Sequence, residues 1–119
     1  MTAPIDWTQP LGSRFTSRIY ISGPMTGHPD YNYPAFNRMA QKFRAAGFHV
    51  ESPAENPGFD DWEGYMRHAL TQLLKCDAIL MLDGWENSRG AKIERTLALE
   101  LGMTELVETY RHPAATEAA

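Results

Sequence analysis

The residues whose types and spacing best suit chemistry lie together in Asp83-Gly-Trp-Glu-Asn-Ser-Arg-Gly-Ala-Lys-Ile-Glu94. Ser88-Arg89-Gly90 brings a hydroxyl, a guanidinium and the free backbone N–H groups of a starting helix, a set that suits a small anion. Ser88 or Asn87 could equally be a plain helix cap, and cap and anion site can coexist. Beyond them stands Glu94. On a wheel of about 100° per residue, Ile93, Leu97, Ala98 and Leu101 share one arc with Glu94 near its middle, while Lys92, Arg95, Thr96 and Glu100 take the opposite arc. A carboxylate on the apolar side must be paired, hydrogen-bonded, neutralised or set in a cleft, and the first helical turn eases its charge. Two readings stay open. Either Glu94 meets an Arg or caps a neighbouring backbone, or it is a reactive carboxylate at the mouth of a pocket. Trp85 could stack on a flat base or sugar, or cover the sheet end or a subunit contact.

The elements that must position these groups alternate. An irregular arm, residues 1–17, precedes a first strand over Arg18-Ile-Tyr-Ile-Ser22, which ends at Gly23-Pro24. After a turn-rich loop to Asn32, a helix begins with Asn32 or Tyr33 near its cap and Pro34 in its first turn. Phe36, Met39, Ala40 and Phe43 form its inward stripe, and Gly47 ends it. Phe48–Ser52 is the second strand. A polar loop leads to a second helix from Asp60 or Asp61 to Leu74, with Trp62, Tyr65 or Met66, Ala69, Leu70 and Leu73 on one face. Ala78–Leu82 is the third strand, Gly90–Leu101 the third helix, and Glu105–Tyr110 a weak fourth strand before a frayed tail, residues 111–119.

Strands alternating with helices at this spacing predict a single α/β domain over residues 18–110. Its sheet is parallel, with four or five strands and helices on both faces, a flavodoxin-like or Rossmann-like three-layer sandwich. The loops leaving the first three strands then share one edge, where such sheets bind ligands. They carry Pro24, Met25, Thr26, Asp30, Asn32, Glu55, Asn56, Asp83, Trp85, Ser88 and Arg89.

Composition narrows the function classes. At 119 residues and a formal charge of −4, with scattered Lys and Arg, the chain has no basic stripe for a nucleic-acid polymer. No run approaches membrane-spanning length and no signal-peptide pattern opens the chain, so a soluble cytoplasmic protein is expected. The one cysteine, Cys76, excludes an internal disulfide and reads as a small buried residue. The four histidines show no metal-ligand spacing, and no metal site is expected. A dinucleotide fingerprint after the first strand, a Walker loop and a Gly-x-Ser-x-Gly elbow are all missing.

Tyr20-Ile-Ser-Gly-Pro-Met25, Cys76-Asp77, and Ser88-Arg-Gly-Ala-Lys-Ile-Glu94 followed by Ala98 and Leu101-Gly102 resemble the nucleoside 2-deoxyribosyltransferase-like superfamily over roughly residues 18–108. The likeness is closest to a small bacterial and phage branch with a Gly-Trp-Glu-x-Ser-x-Gly-Ala-x-x-Glu signature, here Gly84 to Glu94. The resemblance implies an N-glycosidase or deoxyribosyltransferase in which Glu94 attacks or stabilises the anomeric carbon. Tyr20 would help shape the site. Ser88, which stands where the transferases commonly carry Asp, points to the nucleoside 5′-monophosphate N-hydrolases and a phosphate held by Ser88, Arg89 and Gly90. Gly23 would open the first phosphate loop, with Pro24, Met25, Thr26, Asn32, Asp83 and Trp85 around the substrate.

No cofactor is implied. The partners implied are a small nucleotide or nucleoside and further copies of the chain, as a homodimer or larger assembly with sites completed across the interface. Leu99 is compatible with such a contact.

Three positions depart from the pattern. Pro24 and Thr26 replace a Ser and an Arg of the first phosphate loop, and Ala69 stands where the superfamily places a proton-donating Asp. A substitute acid would have to come from Asp83, Asp30, Glu55 or a neighbouring subunit. His68 is about 100° round the helix from Ala69 and cannot simply replace it. The rival expectation is a nucleotide-binding or sensing module of the same fold with impaired catalysis.

Overall fold

The computed structural model describes residues 2–4 and 18–108. Their regular elements run β1 (Thr2–Pro4), β2 (Arg18–Ser22), α1 (Tyr33–Ala45), β3 (His49–Glu51), α2 (Trp62–Leu73), β4 (Ala78–Met81), α3 (Arg89–Glu100) and β5 (Thr104–Val107). Short 3-10 turns at Pro29–Asn32, Pro53–Glu55 and Trp85–Asn87 precede the three helices. Among the described residues the strands form one parallel sheet in the order β1-β5-β4-β2-β3.

Both faces of that sheet are covered, as the alternation of elements requires. Period-2 alternation sends Ile19 and Ile21 to the face covered by α1, where they pack with Phe36, Met39, Ala40, Phe43, Leu80 and Leu106. Tyr20, Ile79 and Met81 point to the other face, against Ala69 and Leu73 of α2 and Ala91 and Ala98 of α3. β4 is fully buried on both sides, which explains its unbroken apolar run. The chain moves outward from β2 to β3 and then returns past β2 to β4. The strand order therefore reverses between β2 and β4, and a crevice opens beyond their carboxyl ends.

That reversal is held tightly. The Leu82 N–H donates to the Ser22 carbonyl at 2.8 Å. A methyl group placed on Gly23 would lie 2.7 Å from Leu82 Cβ, so only glycine fits there without displacing the backbone.

Four sequence expectations are corrected. The expected irregular arm contains β1, an edge strand beside β5 whose pattern is too short to read and whose Pro4 is tolerated at an edge. The rest of residues 1–17 lies outside the described residues. The last strand is Thr104–Val107 rather than Glu105–Tyr110, and Tyr110 and the tail 111–119 also lie outside them. On α3 the buried line is Ala91, Glu94 and Ala98, while Ile93 and Leu101 are exposed. Small residues three before and four after Glu94 let the helix approach the sheet closely; Leu97 packs at the edge of the core as expected, while Ile93 and Leu101 turn outward. Arg95, expected in solvent, folds back to an ion pair with the buried Glu105.

Candidate active site

Glu94 is carried by the second turn of α3 and only 4 % of it is exposed. Two donors from β2 reach it: the Tyr20 hydroxyl at 2.7 Å from Oε2 and the Ser22 hydroxyl at 2.6 Å from Oε1. Tyr20 and Ser22 are two residues apart on one strand and so face the same way. Burial pushes the Glu94 carboxyl up to about 7, while the Ser22 and Tyr20 hydrogen bonds pull it down. Burial first, and then the neighbouring Glu94, push the Tyr20 phenol well above its ordinary value, so it serves as a donor. Neither open reading of the sequence describes this fully: Glu94 is hydrogen-bonded in the interior and also faces a cavity.

The cavity measures about 460 Å³ and lies at the carboxyl end of β2 over the helices α2 and α3. Its size falls in the range of small-molecule sites. Glu94, Ser88, Gly90 and Ala91 line one wall, and Gly23, Met25 and Thr26 another. Asp60, Asp61, Trp62, Tyr65 and Met66 complete the lining, with Tyr31, Tyr33 and Phe59 at exposed positions on it. Of the expected site residues, Glu94, Ser88, Gly90, Gly23, Met25 and Thr26 thus come together. Tyr20 is fully buried behind Glu94 rather than in the lining.

Five expected residues are elsewhere. The Trp85 ring packs against the core on the α2 and α3 face, with the Arg95 guanidinium carbon 4.7 Å from its centroid. The Asp83 backbone N–H donates to Glu108, which also binds Arg38 of α1. Pro24 is buried and takes the Asn32 amide on its carbonyl at 2.9 Å, so this pair ties the first loop together. Arg89 does not line the cavity; its guanidinium carbon lies 4.0 Å from the Trp62 ring centroid. A loop's place in the sequence fixes the sheet edge but not the side of the edge to which each residue turns.

Ser88 is the cap of α3, its Oγ accepting the Ala91 N–H at 3.1 Å, and its own proton remains available to a ligand. Among the suggested acids, Asp30 and Asp83 do not line the cavity and Glu55 is paired with Arg44 at 2.7 Å. Ala69 is fully buried in the core.

The sequence reading missed Ser22 and the wall from α2. Ser22 was legible as the second polar residue on the Tyr20 side of the strand. Asp61 caps α2 by accepting the Gly64 N–H at 2.7 Å, and this cap aims Trp62, Tyr65 and Met66. The Tyr65 hydroxyl meets Met25 Sδ at 3.1 Å, bridging the first loop and α2. Asp30, Tyr31 and Asn32 all adopt left-handed backbone conformations, with φ of 52°, 52° and 62°. Such strain is unusual for Tyr and brings its ring into the cavity lining.

Chemically, a buried carboxylate beneath an aromatic-lined cavity can stabilise or capture an electron-poor carbon.

A model of the family described as domain of unknown function, DUF4406, matches residues 17–107. No curated protein matches the chain. Among solved structures, 2-desoxiribosyltransferase from Leishmania mexicana is similar with a TM-score of 0.64 and 22 % identity, over 86 % of this chain and 71 % of that one. The fold the two share is the α/β fold expected from the resemblance over roughly residues 18–108. With the family model spanning most of its length, the chain belongs to the DUF4406 family.

Proposed function

We propose that this protein breaks the N-glycosidic bond of a (deoxy)nucleoside 5′-monophosphate, or of the nucleoside, and passes the sugar to water or to another base. The observation that carries the reading is Glu94, buried beneath the cavity with Tyr20 and Ser22 holding its two oxygens. As the C–N bond breaks, positive charge builds on the sugar, and a fixed carboxylate stabilises it or forms a glycosyl ester. Tyr20 and Ser22 position Glu94 and bias it toward the charged form that this step needs. The similarity to a 2-desoxiribosyltransferase supports the same class of reaction. Ser88 and Gly90 at the start of α3 supply the phosphate contact, with Arg89 beside them over Trp62. Exposed Ile93 and Leu101 on α3 support a homodimer or larger assembly, which sedimentation would reveal.

A second reading, a nucleotide-binding module without turnover, is favoured by one observation: Ala69 is sealed in the core, and α2 offers no acid there to protonate a departing base. Free-base release, followed by chromatography over ribo- and deoxyribonucleosides with and without 5′-phosphate, separates the two. Glycosidic cleavage predicts release that falls by at least about 10²-fold in Glu94→Ala. If wild type releases no base even with an acceptor base supplied, while nucleotides still raise its melting temperature, the binding module stands instead.

A further inference from the structure

The lining of the cavity narrows the substrate class, on the basis of the N-glycosidic reading above. Tyr31, Tyr33, Phe59, Trp62 and Tyr65 contribute aromatic rings, and Met25 and Met66 contribute thioethers. Phe59 and Tyr65 stand edge to face, with centroids 6.2 Å apart. The acidic side chains in the lining are Asp60, Asp61 and Glu94, and among the described residues no Lys, Arg or His lines it. Aromatic faces and carboxylates both attract cations, and the Trp62 ring already holds the Arg89 guanidinium just outside the lining.

Leaving-group chemistry points the same way. A neutral base departing from a sugar needs a proton, yet Ala69 supplies none, and of the other carboxyl groups in the lining Asp61 is taken up in capping α2 and Asp60 is exposed to solvent. A base that already carries a positive charge on its ring leaves as a neutral molecule and needs no acid.

We propose that the substrate is an N-glycoside of a cationic heteroaromatic base, an N-alkylated purine or a pyridinium ring, seated among the cavity's aromatic rings with its anomeric carbon toward Glu94. The C–N bond breaks heterolytically and its electron pair moves onto the ring, cancelling the positive charge. Glu94 forms a bond to the anomeric carbon, and water then replaces the carboxylate. The sum is cationic nucleoside plus water giving neutral base, free sugar and one proton.

The test uses the full chain and two matched pairs, each with and without 5′-phosphate: 7-methylguanosine against guanosine, and nicotinamide riboside against its neutral dihydro form. Base release is divided by the spontaneous rate of each compound. The expected result is an enhancement at least about 10²-fold larger for the cation of each pair, the low end of what general acid help is worth to a neutral base. Phe59→Leu, at an exposed position, removes one ring of that seat and should weaken binding of the cations about two- to fivefold more than binding of their neutral partners. Equal enhancement for the neutral members, or equal affinity within each pair, overturns the proposal and leaves the glycosidic reading intact. Absence of cleavage from both pairs and from the wider nucleoside panel overturns both.

Discussion

The behaviour of Glu94 follows from two opposed effects, and its direction with pH can be worked out. The reaction needs the carboxylate, and burial places its ionisation at about 7. Base release should therefore rise as pH passes through about 7 and level off above it. Tyr20→Phe and Ser22→Ala each remove a hydrogen bond that lowers this value, so each should move the midpoint upward. A pH profile of kcat/KM for the three proteins checks this, and an unmoved midpoint in both variants would detach these residues from the ionising group. Glu94 itself was legible in the sequence because a lone carboxylate on an apolar arc demands an explanation. Trp85 and Asp83 were not correctly located, because their neighbours in the sequence do not reveal that Arg95 and Glu108 would claim them.

At the scale of elements, the start of α3 performs two tasks that single substitutions can separate. Removing the Ser88 cap should cost about 1 kcal/mol as Ala but only a few tenths as Gly, read from denaturant midpoints at unchanged slope. Both variants lose the hydroxyl. If Ser88 also contacts a phosphate, both should lose preference for 5′-phosphorylated substrates equally, although only Ser88→Ala loses appreciable stability. The helices and inner strands were legible to within a few residues because long amphipathic periods and apolar runs dominate them. The rotation of α3 was not. Its inward line, Ala91, Glu94 and Ala98, has small residues on either side of the carboxylate, and a wheel weighted toward large apolar residues keeps Glu94, Leu97 and Ala98 inside but also draws in Ile93 and Leu101, which are exposed.

For the whole molecule, the site is a source of instability that depends on pH. Glu94 ionises near 4.5 in an unfolded chain and at about 7 in the folded one. Below about 4.5 both states hold the proton and its contribution to stability is complete. As pH rises toward 7 the unfolded state gives up its proton first, so stability falls, and above 7 the loss amounts to about 3 kcal/mol. Glu94→Gln lacks this titration. Relative to wild type it should therefore gain about 3 kcal/mol in unfolding free energy between pH 4.5 and pH 8, measured in urea, while losing base release. The parallel sheet with helices on both faces followed from the order of the elements, but its strand order and the membership of β1 did not, since pairing at a sheet edge leaves little mark on three residues ending in Pro4.

The phenol of Tyr20 has a further consequence. It is an ultraviolet chromophore sealed in the interior, with its hydroxyl pressed against the one carboxylate whose charge matters most. When Glu94 ionises, the absorption of that ring shifts. A near-ultraviolet difference spectrum of wild type against Tyr20→Phe should therefore trace the Glu94 proton with a midpoint near 7 and lose the transition in Glu94→Gln. The protein carries its own indicator dye, readable with no substrate in hand.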